Sequence, residues 1–396
     1  MDTLFEPLEL RGVELKNRLV RSATYEAMAT ESGAVTDALL AHYRQLARGE
    51  VGLIITGHAY VHPLGRAARH QMGLHDDALL PGLRRLTRAA HDEGGRIVFQ
   101  LADDDPEPTP GLIGHRPLAP SSRGRDPIYF VKPQAMDGDQ IRTVINAFGA
   151  AAARAEAASA DGIQIHAAHG YLVNEFLSPY FNVRDDSWGG TPENRFRFLQ
   201  EVILEVRSRM SDELPLLVKL NTRDHTPEQG ITPELAVDYA ERLTELGIDA
   251  LEVSRGSPIY APFHMCRGEV PVKGIVRSVP WWQRPLARLI VRRWAGRYDL
   301  EGLYNLEPAR LIKPQLGSVP LILTGGVRTV NQMAHVLEHE HAELVGMSRP
   351  FIREPALARR ISLGRTDSAS CVSCNRCFAA IANDLPVRCY LTGLPD

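Results

Sequence analysis

Leu216-Leu217-Val218-Lys219-Leu220-Asn221 is the stretch on which the fold turns. It is too short for a helix and lacks clean polar alternation, which is how a strand buried on both faces of a parallel sheet reads. Working outward, seven more short apolar runs lie at residues 19–23, 51–57, 96–101, 161–166, 250–254, 319–324 and 343–347. Amphipathic segments with helix punctuation separate them. Thr36 precedes Leu39, Leu40, Tyr43 and Leu46 before a stop at Gly49, and Pro81 opens a run that stops at Gly94. Thr191-Pro192 and Thr232-Pro233 open two more, the second ending at Gly247. These are N-cap, first-turn and C-terminal signals. Eight strands alternating with helices predict an α/β protein, a (β/α)8 TIM barrel. An open doubly wound sheet could carry the same alternation, but no G-x-G-x-x-G follows the first strand. Residues 255–314 are too long for one barrel connection and predict an excursion with its own helix around 284–295. The barrel is assigned to residues 1–365, and residues 366–396 form a small Cys-bearing C-terminal extension.

The 396 residues are 44% hydrophobic and 23% charged, with a formal net charge of -3, which gives no electrostatic reason to expect nucleic acid. Residues 1–10 carry acids rather than a basic, apolar leader, and no stretch approaches the ~18 apolar residues of a membrane span. No membrane association and a cytoplasmic location are expected. Of the five cysteines, Cys371, Cys374, Cys377 and Cys389 fall together, a clustering that reads as metal or cluster ligation before disulfides. Cys266 stands apart and reads as an incidental thiol.

Active groups of such a barrel sit at the carboxyl ends of its strands. The fourth run ends at His166 and continues Ala167-Ala168-His169-Gly170-Tyr171-Leu172. Two imidazoles and a phenol at a strand exit can supply two donors for one substrate oxygen and a nearby proton donor. The bland alternative is two satisfied core histidines, and zinc is a weaker rival without an H-E-x-x-H pattern. Lys219 needs an anionic partner, snorkels to solvent, or serves as a Schiff-base lysine. Thr324-Gly325-Gly326-Val327 after the seventh run and Ser348-Arg349 after the eighth suit a phosphate site, with close backbone N–H approach and a neutralising arginine. Gln100, ending the third run, offers an amide to a heteroaromatic edge.

Taken with Asn17-Arg18-Leu19-Val20, Gln100-Leu101, Phe176-Leu177-Ser178-Pro179 and Gly189-Gly190-Thr191-Pro192-Glu193-Asn194-Arg195, these motifs resemble the Old Yellow Enzyme family of NADH:flavin oxidoreductases over nearly the whole chain. The resemblance implies non-covalent FMN across the barrel mouth. Ala23, Thr24 and Gly57 would flank its ring, Gln100 would meet the pyrimidine edge, and Lys219 would face the N1/C2 region. Gly325, Gly326, Ser348 and Arg349 would hold the phosphate. It further implies reduction of an activated C=C in a small molecule with a conjugated carbonyl (an enone or dienoyl type). His166 and His169 would polarise the substrate oxygen, Tyr171 would donate the proton, and NAD(P)H would be the transient electron donor.

Cys371-Val372-Ser373-Cys374-Asn375-Arg376-Cys377 followed by Cys389 is similar to the [4Fe-4S] tail of dienoyl-CoA reductase-like and trimethylamine dehydrogenase-like members, with zinc or no metal as alternatives. The family pattern after Gln-Leu is x-His-x-Gly-Arg. Here Ala102-Asp103-Asp104-Asp105 replaces it and removes a histidine and a basic residue. Rival readings are a flavin-dependent desaturase or amine dehydrogenase passing electrons to a partner or oxygen, a Schiff-base lyase, and a non-catalytic flavin-binding barrel. The natural substrate, NADH against NADPH, and assembly with a second copy or an electron-transfer partner stay open.

Overall fold

Eight parallel strands follow one another around a closed ring in the computed structural model, which describes residues 2–103, 116–123 and 131–395. They are β1 (Leu19–Arg21), β2 (Leu53–Ile55), β3 (Ile97–Ala102), β4 (Ile163–Ala167), β5 (Leu216–Asn221), β6 (Ala250–Ser254), β7 (Leu321–Thr324) and β8 (Leu344–Met347). Each pairs with its successor, and the register Val345↔Leu19 joins β8 back to β1. Each of the eight apolar runs overlaps one of these strands, β3 and β4 running one residue past the expected ends to Ala102 and Ala167, and the closed (β/α)8 barrel is the architecture observed. The structure trims several runs, residues 51–57 to three, because their flanks already enter loops.

Two apolar layers explain why the strands carry no simple alternation. Outward-facing Leu19, Ile54, Phe99, Ile165, Val218, Val253, Leu323 and Val345 pack beneath the helices. Inward-facing Val20, Val98, Leu217, Ala250, Ile322 and Leu344 fill the floor, sealed by the hairpin of Leu8–Leu10 and Val13–Leu15. Both faces are dry at the bottom, so both positions are apolar. Two residues further along, the inward positions turn polar: Ser22, Gln100, Lys219, Glu252 and Thr324. A period of two places this layer directly above the floor, toward the mouth.

The expected helix signals are in place. Thr36 caps α1 (Asp37–Arg48), and Pro81 lies in the first turn of α2 (Leu80–His91). Asp137 closes a capping box on α3 (Gly138–Ala157), while Thr191 and Thr232 cap α4 (Pro192–Arg209) and α5 (Pro233–Glu245), each with proline in the first turn. After β6 the excursion runs through α6 (Arg284–Arg292) and returns along α7 (Leu306–Ile312), and α8 (Val330–Glu338) links β7 to β8. The cysteine-bearing tail then packs on the excursion: Asn383 Nδ2 donates to the Gly274 carbonyl at 3.0 Å, and Phe263 meets Phe378 edge-on. Among the described residues no helix is long and apolar enough to cross a membrane. Asp104 and Asp105 lie outside the described residues, whereas Asp103 is buried at the end of β3.

Candidate active site

Lys219 finds its anion inside the barrel. Its Nζ lies 3.0 Å from Glu252 Oε1 and 2.9 Å from Ser22 Oγ, all three side chains being buried. Glu252 also accepts from Ser22, from Thr324 Oγ1 at 2.8 Å and from Gln164 Nε2 at 2.8 Å, and Gln164 in turn accepts from Gln100 Nε2 at 2.7 Å. Burial pushes the Glu252 carboxyl up, but the Lys219 charge and the Ser22, Gln164 and Thr324 hydrogen bonds outweigh it, so the carboxylate stays below its usual range. Lys219 is therefore engaged in a buried ion pair, which a Schiff-base role would first have to break. Glu252 and Gln164, each inside an apolar run, were not singled out from sequence.

A second buried pair sets the first two strand exits. The Arg21 guanidinium donates to the Ile55 carbonyl at 2.6 Å and pairs with Glu26 at 3.2 Å; Glu26 also accepts from Tyr43 and from the Gly57 N–H at 2.8 Å. A Cβ on Gly57 would collide with the Glu26 carboxylate and lie 2.7 Å from the Thr24 carbonyl, so the loops bearing Ala23-Thr24 and Gly57 approach each other only because residue 57 is glycine. Thr24 Oγ1 and Ser348 Oγ, 2.7 Å apart, tie the first loop to the exit of β8.

The two histidines and the tyrosine after β4 are brought together. The His166 ring lies 4.9 Å from His169 and 5.1 Å from Tyr171, edge-on to both. His169 adopts a left-handed backbone (φ 67°) followed by Gly170, and this turn folds its ring back beside His166. Its Nε2 is 2.6 Å from Ser254 Oγ, while His166 Nδ1 is buried with no hydrogen-bond partner among the described residues. Burial holds both imidazoles well below their usual pKa, reinforced by Lys219 and His58 and, for His166, by its partner His169. They are therefore neutral at pH 7, each with one N–H to offer. His58, stacked on Tyr171 at 5.3 Å and set against Tyr25 at 5.5 Å, completes the aromatic wall and was missed from sequence; its signal was its place directly after Gly57.

At the exits of β7 and β8 the proposed phosphate residues meet companions the sequence did not reveal. Gly325 and Gly326 have φ of 137° and 80°, and a Cβ on either would run into Tyr304, so close approach of the chain around Tyr304 is one reason for the pair. Arg349 Nη1 donates to the Arg267 carbonyl at 2.8 Å and Asn375 Oδ1 at 2.5 Å, and Arg328 donates to Ser373 Oγ at 2.9 Å. Arg255 lies over the Tyr304 ring at 4.7 Å. Nε of Arg255 and of Arg328 is buried with no acceptor among the described residues, and burial together with Arg349 lowers the Arg328 pKa. Arginines gathered around one tyrosine, with donors left over, suit an anionic group such as a phosphate.

The four tail cysteines line one hollow, together with Arg349, Arg353 and Asn375. None is in a disulfide. As placed, however, no three His, Cys, Asp or Glu side chains among the described residues are close enough to hold a metal ion. Cys266 stands outside the hollow, its thiol pushed up to about 11 by burial, yet its carbonyl receives Asn375 Nδ2 at 2.8 Å, so its backbone helps hold the tail.

This chain has recognisable relatives. It is 31% identical over 387 residues to a 4,4'-dithiodibutanoate disulfide reductase of Rhodococcus erythropolis, covering 96% of this chain and 93% of the relative. It is 36% identical over 374 residues to an NADPH dehydrogenase of Geobacillus sp. (strain WCH70), covering 93% and 96%. The same fold occurs in the Old Yellow Enzyme homologue of Zymomonas mobilis (TM-score 0.74, 24% identity, 94% of this chain and 95% of that one). It also occurs in a 2-naphthoyl-CoA reductase (TM-score 0.83, 24% identity), where 98% of this chain spans only 57% of the other. The family model described as NADH:flavin oxidoreductase / NADH oxidase matches residues 3–273, and the chain belongs to that family as an FMN-dependent oxidoreductase.

Proposed function

We propose that the protein reduces an activated C=C conjugated to a carbonyl, with His166 and His169 binding the carbonyl oxygen and Tyr171 delivering the proton. The observation that carries this reading is the pair of neutral, edge-on imidazoles beside a phenol at the exit of β4. Two neutral N–H donors meeting one oxygen would hold the substrate and stabilise negative charge growing there. FMN, when bound and reduced, supplies a hydride for the β-carbon. Tyr171 then gives its phenolic proton to the α-carbon, so that one C=C gains two electrons and two hydrogens.

The residues fit the cofactor. Arg328, Arg349 and Arg255 would hold its phosphate, the spare buried Nε donors of Arg255 and Arg328 matching a dianion. Ala23, Thr24, Gly57 and Gln100 would border the ring. Lys219, locked by Glu252, would hold a fixed positive charge beneath it. NAD(P)H is the electron donor in this reading, supported by the name of the Geobacillus relative. The Rhodococcus relative is named for a disulfide substrate, so an aliphatic disulfide belongs beside the enone in any substrate panel.

The test is single-turnover kinetics of each half-reaction. Tyr171→Phe should bind the enone normally and reduce it roughly 10²- to 10⁴-fold more slowly, with reduction by NAD(P)H little changed. A Phe variant that turns over enone at the wild-type rate removes Tyr171 from the chemistry.

The tail carries a second element of the proposal: Cys371, Cys374, Cys377 and Cys389 hold a [4Fe-4S] cluster, with zinc as the alternative. A shared hollow and the C-x2-C-x2-C spacing support it, and closing the ligand shell needs the four sulfurs to draw inward. Iron, zinc and acid-labile sulfide measured on anaerobically purified protein decide it, and absence of both metals rejects it.

A further inference from the structure

The excursion after β6 contains a surface that the redox chemistry does not use. From Val270 to Tyr298 the sequence carries seven cations, Lys273, Arg277, Arg284, Arg288, Arg292, Arg293 and Arg297, and no acid; the other residues of the chain are 48 acidic against 38 basic. Three of the four tryptophans of the protein lie in the same segment. Trp281 is 78% exposed, Trp282 65% and Leu286 62%, with Leu289 and Ile290 also exposed.

The geometry of α6 sorts these residues into three stripes. Val291 is buried and packs with Phe263 and Val270, fixing the helix to the excursion. Leu286, Leu289 and Ile290, spaced three and four apart, form an exposed apolar stripe that Trp281 and Trp282 extend from its N-terminal side. Arg284, Arg288 and Arg292, spaced four apart, run along the flank. Helix burial against the protein accounts for the first stripe only. Exposed aromatic and aliphatic side chains in one patch mark an interaction surface, and a polar helix needs none of them.

Charge selects the occupant. A second copy of the chain docked face to face about a two-fold axis would set seven cations against seven, with no acid in either segment to neutralise them. An anionic lipid surface satisfies every feature together. Tryptophan rings favour the headgroup level, the leucines and isoleucine enter the acyl boundary, and the arginines meet the phosphates. We infer that α6, with Trp281 and Trp282, attaches this enzyme reversibly to membranes rich in anionic phospholipid. Such attachment needs no spanning helix.

The experiment uses the full-length, FMN-loaded protein and sedimentation with vesicles of equal parts phosphatidylglycerol and phosphatidylcholine, against vesicles of phosphatidylcholine alone. Wild type should sediment with the anionic vesicles only, with a blue-shifted tryptophan emission, and release in about 1 M salt, where the Debye length is about 3 Å. Arg288→Glu/Arg292→Glu and Trp281→Ala/Trp282→Ala should each weaken binding at least about tenfold while flavin content and circular dichroism stay unchanged. Wild-type protein that ignores the anionic vesicles, or binds both kinds equally, overturns the inference. So does a solution dimer that Leu289→Glu splits into monomers, because the face then belongs to a second copy.

Discussion

Glu252→Gln is the perturbation that most directly tests how the barrel mouth is built. The substitution keeps the shape and an amide oxygen that can still accept from Ser22 Oγ and Thr324 Oγ1, but it strips the negative charge from a pair in which Lys219 Nζ and Glu252 Oε1 are 3.0 Å apart and buried. Removing one partner of a buried ion pair costs about 3–5 kcal/mol, because the survivor is left charged in a dry site. Against a total stability of roughly 5–15 kcal/mol that is a large fraction. Lys219→Met should cost a similar amount by stranding the carboxylate. The double variant should cost less than the two singles added, by about 2 kcal/mol or more, since neither charge is then stranded. Urea unfolding followed by circular dichroism, with flavin absorbance recorded alongside, gives the cycle. Strictly additive costs, or a single-variant loss under about 1 kcal/mol, would refute the coupling. The pH dependence has a defined sign. The folded carboxyl lies below its usual 4.5, so its contribution is fully present above that value and is lost as the pH falls through the lower, folded one. Glu252→Gln should flatten that acid limb.

Gly57→Ala should destabilise the protein by about 1–3 kcal/mol, read as a shift in urea midpoint, because the new methyl meets Glu26 and the Thr24 carbonyl. Replacing His166 or His169 by Ala should lower kcat/KM for the enone about 10²-fold or more, leaving reduction by NAD(P)H much less affected. The pH profile of the oxidative half-reaction should show no histidine ionisation near 6.5: both rings remain neutral until the pH drops through their lowered values, below which they charge. Arg328→Ala and Arg349→Ala should each raise the dissociation constant of FMN, by about tenfold or more, in fluorescence titrations of flavin-stripped protein.

The barrel was legible because its strands are apolar on both faces at the floor, so length and punctuation alone separate strand from helix. The layer above was nearly invisible. Lys219 interrupts an apolar run and asks for a partner, but Glu252 is 33 positions away and Ser22 is 197. Only closure of the ring brings them into contact. A period of two was the available signal, since each member of the polar layer follows a floor residue by two: Val20 and Ser22, Leu217 and Lys219, Ala250 and Glu252, Ile322 and Thr324. The His166-His169-Tyr171 group needed no such closure, because one strand exit carries all three. His58 and Arg255 lie just past other strand exits, and that position was the sole local signal either carried.

The tail illustrates why counting strands says little about how a segment is held. Counting strands ends the barrel before residue 366, which makes the cysteine segment look like an appendix. Yet Arg328 donates to Ser373 and Arg349 to Asn375, and Asn375 Nδ2 in turn donates to the carbonyls of Cys266 and Glu269. Asn375 has a left-handed backbone (φ 53°), a conformation asparagine tolerates better than most residues, and this turn presents its amide to all three partners. Two arginines proposed to meet the phosphate are thus held by side chains lying among Cys371, Cys374 and Cys377. An arginine held by fixed acceptors loses less freedom when it meets an anion, so in the proposed site the tail would pre-organise the phosphate arginines whatever its cysteines carry.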